Sequence, residues 1–218
     1  QALRWIAERG LIFRKPGRGT VVSAPPMTEE LARLTGIPEA VHVQGVQHKI
    51  RILRSEFIKP NERQAEILAL EPGQWAFRLD RLTTIRAEQP INLELGLYPP
   101  DIGERFQAHP EYVTGPIFLA LESRFGMQID KASQTISAEV ADRRISELLD
   151  IPVGAPLVCY DRIVYLTNGR PVQFVRCYMP AARYALHVWL KRQESDGTGS
   201  FSFGSRRVMA PYKDLWED

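Results

Sequence analysis

Apolar and polar residues alternate with a period of two over several long stretches of this chain, and shorter stretches between them have helical spacing. The clearest alternation runs from Leu157 to Tyr184. Asn168-Gly169 sits there between two runs rich in β-branched and aromatic residues, which predicts a hairpin closed by a two-residue type I′ turn. Pairing Thr167 with Arg170 sets the register, and the register sets the faces. One face takes Tyr160, Arg162, Val164, Gln173, Val175 and Cys177. The other takes Cys159, Asp161, Ile163, Tyr165, Val172, Phe174, Arg176 and Tyr178. Asp161 then lies opposite Arg176, a favourable cross-strand pair. Arg162 and Gln173 stand in an otherwise apolar row.

From the start of the chain, Ala2 to Ala7 has helical spacing and Gly10 stops it. Leu11-Ile12-Phe13 and Thr20-Val21-Val22 read as strands around the basic turn Lys15-Pro16-Gly17-Arg18-Gly19. A helix followed by a hairpin with a basic, glycine-rich tip is the back half of a winged helix. Ser23-Ala24-Pro25-Pro26 is a stiff linker. Thr28 is expected to cap a short helix that stops at Gly36, with Pro38 barring continuation. Residues 41–46 alternate weakly, and Gln47 to Ile58 reads as a strand. Asn61 caps a helix to about Leu70, with Ala65, Leu68 and Ala69 inward.

A second hairpin follows, Trp75 to Arg86 and Pro90 to Tyr98. Phe77, Leu79, Arg81, Thr83 and Ile85 share a face of its first strand. On the return strand Asn92, Glu94, Gly96 and Tyr98 alternate with Ile91, Leu93, Leu95 and Leu97. Thr114 is expected to cap a helix from Gly115 to Phe125. Gln134 to Val140 reads as a strand, and a helix opening at Ala141 or Asp142 turns Ile145, Leu148 and Leu149 inward. Tyr184 to Leu190 makes a last strand. The tail is Gly/Ser-rich from Gln193 to Ser205, and Tyr212, Leu215 and Trp216 near its end are candidates to dock on the domain. Helix-then-hairpin occurs twice, at 61–98 and 141–179. Mostly antiparallel strands with helices on one side make an α+β domain.

The composition, 44% hydrophobic and 25% charged over 218 residues, fits one substantial globular domain with appendages. The net charge of +2 is uneven, because residues 1–26 hold Arg4, Arg9, Arg14, Lys15 and Arg18 against Glu8. No apolar run approaches the ~20 residues of a membrane helix. Cys159 and Cys177 fall on opposite faces of the hairpin, so they are not expected to bond to each other, which fits a reducing cytoplasm. Catalytic motifs are missing, and His42, His48, His109 and His187 lack metal-ligand spacing, so neither a cofactor nor a metal is implied.

Pro156-Leu157, Arg162, the run Asn168-Gly169-Arg170-Pro171-Val172 and the aromatic stretch to Tyr184 resemble the C-terminal half of a UTRA domain. UTRA domains are the effector-sensing modules of GntR-type bacterial transcription regulators, in the HutC-like branch. Arg81 within LDRL, residues 90–100 (PINLELGLYPP), the helix with Leu121, and Ile136 to Ala141 extend the resemblance over about residues 27–192. Residues 2–22 are similar to the end of a recognition helix plus the wing of such a regulator. The two helices that complete a winged helix do not precede it, so the chain reads as N-terminally truncated and is expected to bind DNA weakly as given.

The resemblance implies a chorismate lyase-like fold and four segments. These are a partial winged helix at 1–24, a linker and short helix at 25–39, an effector-binding and dimerisation domain at 40–192, and a tail at 193–218. It implies effector contacts at Arg81, Glu94, Arg162, Gln173 and Tyr178, and DNA contacts at Arg4, Arg14, Lys15, Arg18 and Thr20. The implied protein is a homodimeric cytoplasmic regulator, a repressor by preference, that meets operator DNA and a small metabolite. Phosphosugar-sensing relatives carry Ser-Leu-Tyr where this chain has Pro116-Ile117-Phe118. Pro lacks an N–H and Phe a hydroxyl, which favours a carboxylate or neutral effector. Two alternatives stay open. Arg81 and Arg162 are ligand anchors or buried structural pairs with Glu94 or Asp80. The domain is a sensor or a chorismate lyase-like enzyme acting on a small acid.

Overall fold

The structure, a computed structural model, describes residues 12–15, 19–22, 27–30, 34–85, 88–188 and 215–216, the first three stretches as backbone. Strands β1 (Ile12–Lys15) and β2 (Gly19–Val22) pair antiparallel as the wing pattern predicts, Arg14 opposite Thr20. The preceding helix lies outside the described residues. The helix expected from Thr28 is instead strand β3 (Met27–Glu30), which pairs in parallel with β10 (Tyr184–His187). The helix comes later, as α1 (Ile37–Val43). Pro38 opens it rather than barring it, because a first-turn N–H has no intrahelical partner to lose. The weak alternation of 41–46 was therefore no strand.

Six antiparallel strands form the main sheet: β4 (His48–Ile58), β5 (Ala76–Ile85), β6 (Gln89–Tyr98), β7 (Ile129–Val140), β8 (Pro156–Leu166) and β9 (Pro171–Pro180). Their order is β4-β5-β6-β9-β8-β7, so two strand–helix–hairpin units join along β6 and β9. Helix α2 (Glu62–Ile67) connects β4 to β5, and α5 (Arg143–Leu149) connects β7 to β8. Asn61 closes a reciprocal capping box with Gln64, and Asp142 accepts from the Ile145 amide, so both helices start at side-chain caps. Asn61, Asp80 and Arg81 recur at one constant separation as Asp142, Asp161 and Arg162. The two units therefore present the same Asp-Arg pair on matching strands. Inside α2 the buried positions are Gln64 and the cap residue Leu68; Ala69, expected inward, is exposed with φ 50°.

Helices cover both faces of the sheet, not one. On one face Leu68, Ile145 and Leu149 pack against Leu93, Leu95, Leu97 and Phe174. The opposite face carries α1, helix α3 (Pro100–Ala108), a 3₁₀ turn (Pro110–Thr114) and α4 (Ile117–Leu119), continued by a π turn (Ala120–Arg124). Helix α3 has no counterpart in the sequence expectations. Its Ile102 and Phe106 meet Phe77 and Tyr98, and Gly103 lets it lie so close that an added Cβ would be 2.3 Å from Phe77 Cβ. Double coverage explains why nearly every residue of β5, β6 and β9 is buried.

The β8–β9 turn is not type I′. Gly169 donates to Leu166 O at 2.8 Å and alone takes a left-handed φ (82°), so the loop holds three residues. That slips the register by one, and a bulge between Val164 and Tyr165 slips it back. Asp161 thus still faces Arg176, and Cys159 and Cys177 lie in separate clusters as unbonded thiols. Only Val172 changes sides, joining Val164. At the end of the chain Trp216 packs on Phe174 with ring centres 5.0 Å apart, and the Leu215 carbonyl accepts from Gln64 Nε2 at 2.7 Å.

Candidate functional site

A cleft opens on the α1/α4 face where the two hairpins meet. It is narrow, with about 20 Å³ of space that a water-sized molecule can occupy. Arg81 and Arg162 both line it, one from each unit, with Glu94 and Gln173 from the paired inner strands. Strand alternation puts all four on this face. Arg81 sits directly across from Glu94, and its Nε and Nη2 donate to Glu94 Oε1 at 3.0 and 2.6 Å. Its Nη1 reaches the carbonyls of Val113 (3.4 Å) and Gly115 (2.9 Å), which fixes the turn leading into α4. Burial is the strongest single influence and would lower the Arg81 pKa, but the surrounding groups together, led by the Glu94 carboxylate, hold the guanidinium above its ordinary value.

Arg162 is held differently. Its Nε donates to Gln134 Oε1 and its Nη1 to the Thr35 carbonyl, both at 2.6 Å, and it lies 4.7 Å over the Tyr160 ring. Gln173 Nε2 donates to the Tyr98 hydroxyl at 2.8 Å, while its buried Oε1 has no partner. Both bonds from Arg81 go to Glu94 Oε1, and among the described residues none reaches the second Glu94 oxygen. The Tyr98 hydroxyl is pushed far up, chiefly by burial, and stays neutral.

Tyr178 is the one predicted effector residue that the structure does not bring here. It lies on the other face, where its hydroxyl accepts from Arg176 Nε at 2.8 Å and burial pushes its pKa up to about 12. Arg176 also binds Asp161 and Glu139 there. The physical reason is parity: residues 173 and 178 are an odd number apart on one strand and cannot share a face.

The cleft also uses residues that were not predicted. Tyr160 and Val175 line it and share the Arg162 face in the alternation, so the pattern carried their signal. Ile117 and Phe118 line it from α4. Gly36 and Pro38 close one side, and nothing local in the sequence announced them. Glu39 fastens that side, since its carboxylate accepts from the Gly36 amide at 3.0 Å and from the Leu119 amide. Desolvation raises the Glu39 pKa despite those bonds. Of the predicted DNA contacts, Arg4 and Arg18 lie outside the described residues, and Arg14, Lys15 and Thr20 stand on β1 and β2.

The sequence profile of the UTRA domain matches residues 43–185, well over half the chain. This chain is a member of the UTRA-domain family. The chain is 26% identical over 193 residues to the HTH-type transcriptional repressor NagR of Bacillus subtilis, covering 88% of this chain and 78% of that protein. Among solved structures, PhnF from Mycobacterium smegmatis superposes with a TM-score of 0.69 at 22% identity, over 88% of this chain and 84% of that one. A GntR-family transcriptional regulator from Enterococcus faecalis V583 superposes at 0.54 and 26% identity, over 66% of this UTRA chain and 99% of that one. The relatives named are regulators of transcription, which favours the sensor over the lyase reading.

Proposed function

We propose that this chain is the sensing part of a GntR-type transcription regulator, and that the cleft between its hairpins binds a small effector that alters DNA binding. The observation that carries the reading is the convergence of Arg81 and Arg162, from separate units of the sheet, on one cleft with Glu94 and Gln173. Its lining, apolar side chains with a few convergent polar groups, is that of a small-metabolite site, and at about 20 Å³ the cleft must widen to admit one. Arg81, Glu94, Arg162 and Gln173 are the effector residues of this reading. Arg4, Arg14, Lys15, Arg18 and Thr20 meet operator DNA, and the regulator, a cytoplasmic repressor, acts as a homodimer on a palindromic site.

The chemistry of the site favours a carboxylate or neutral effector over a phosphosugar. Most of the Arg81 donors are already taken by Glu94 and two carbonyls, and a dianion would have to displace that carboxylate. Gln173 Oε1 and the second Glu94 oxygen are acceptors that suit ligand hydroxyls or amines, and Arg162 is the cation in the lining that a carboxylate would meet. Pro116, before α4, has no N–H to offer a phosphate.

Thermal-shift screening of the full chain against carboxylates, sugars, polyols, amines and phosphosugars tests this. A ligand at 100 times its Kd adds about 2.7 kcal/mol of stability, and Gln173→Leu abolishes the shift. A hit that is insensitive to Gln173→Leu and Arg162→Ala would place the site elsewhere. Operator fragments whose affinity no hit changes would refute the regulatory reading.

A further inference from the structure

The wall of the cleft is the stretch of chain that leads in from the wing. Residues 34–38 enter α1, whose Ile37 and Val41 cover Tyr160, Val175 and Cys177 of the sheet. Two polar latches hold this wall. Arg162 Nη1 donates to the Thr35 carbonyl at 2.6 Å, and the Glu39 carboxylate ties the Gly36 amide to the Leu119 amide at the start of the π turn. Both latches end on cleft elements, since Arg162 lines the cleft and Leu119 follows Ile117 and Phe118, which line it.

Beneath the wall the sheet buries polar groups it does not satisfy. Gln173 Oε1 has no partner. Asn92 is fully buried two residues along β6 from Glu94 on the same face, and neither its Oδ1 nor its Nδ2 has a partner. Buried amides without partners are rare and costly, and these two lie on the face that α1 covers.

The geometry points to a gate: residues 34–43 swing as a unit over the cleft that Arg162, Glu94 and Gln173 line, with Asn92 buried beyond Glu94 on the same face, latched shut by Arg162–Thr35 and by Glu39. A ligand that engages Arg162 competes with the Thr35 carbonyl for the guanidinium. Occupancy of the cleft and the position of the chain leading to the wing then become one equilibrium. This rests on reading the cleft as the effector site, and it supplies the link from that site toward the N-terminal segment.

The chain's two cysteines report on the gate without any ligand. Cys177 lies under α1, and Cys159 lies on the opposite face as an internal control. Iodoacetamide labelling of the full chain, resolved by peptide mass spectrometry, should find both thiols protected in the wild type. Arg162→Gln should speed labelling of Cys177 by roughly tenfold or more, the loss of one charge-assisted hydrogen bond, and leave Cys159 unchanged. Glu39→Ala, which removes both acceptor oxygens, should act in the same direction. If Cys177 stays protected in both variants, the gate is wrong. If Arg162→Gln unfolds the domain, both thiols label together, and Glu39→Ala decides: selective labelling of Cys177 supports the gate and protection of both overturns it. Because no effector or DNA enters the assay, a failure here counts against the gate and leaves the sensor reading to its own test.

Discussion

Replacing Arg81 by Met should be among the most damaging single changes in this domain. The Arg81 and Glu94 side chains retain only 3% and 7% of their exposure, so water cannot take over for a lost partner. The substitution strands a buried carboxylate and strips the donor from the Val113 and Gly115 carbonyls. Removing one member of a buried pair costs about 3–5 kcal/mol, a large share of the ~5–15 kcal/mol that holds a typical domain together. The double variant Arg81→Met/Glu94→Leu removes both charges and fills their volume with carbon. It should recover at least about 2 kcal/mol of that loss, because a well-packed apolar pair is often no worse than a buried ion pair. Urea unfolding followed by tryptophan fluorescence gives both numbers, provided the m-value holds constant. A single-variant cost below about 1 kcal/mol would mean that the pair is solvated, as surface pairs are. Strictly additive losses in the double variant would mean that the two groups do not interact. Either result refutes the electrostatic account of the cleft.

Trp216→Ala should cost about 3–5 kcal/mol in the same assay, since it removes a fully packed ring from against Phe174; no change would mean that the tail does not dock. Gly103→Ala should destabilise by about 1–3 kcal/mol or more, because its methyl group would collide with Phe77 unless α3 lifts away, and a neutral result would show that α3 is not held that closely. Glu39, with its pKa raised above the ordinary 4.5 by desolvation, binds more protons folded than unfolded. Stability should therefore fall as pH rises through the window above 4.5, and Glu39→Gln should flatten that fall in pH-dependent urea titrations.

Alternation proved a better guide to the site than resemblance in one instructive case. Resemblance placed Tyr178 with the effector residues, whereas the register written from the sequence had already put it across the sheet from Arg162 and Gln173, where the structure finds it. Arg81 and Glu94 were legible for the same reason, since a strand with two buried faces leaves an isolated charge only one place to point. Even the misread turn cost only Val172 its expected face, because the bulge at Val164 returned the strands to the expected pairing. By contrast, the helix that begins at Pro100 and α1, which begins at Ile37 with Pro38 next, both carry in their first turn a proline that reads locally as a stop. Proline ends a helix from within but opens one readily, and a short window does not distinguish the two.

What the sequence determined alone were the elements whose signal has a period: the two hairpins, their faces, the repeated strand–helix–hairpin unit, and the polar residues stranded on its inner rows. What only the tertiary structure decided were contacts between residues far apart in the chain. These are the parallel pairing of β3 with β10, the docking of Trp216 on Phe174, and the closure of the cleft by Thr35, Gly36 and Pro38. Periodicity is a local property set by backbone geometry, so it survives in one dimension. Which distant surface a segment buries depends on shape and on unmet hydrogen bonds that exist only once the sheet has formed.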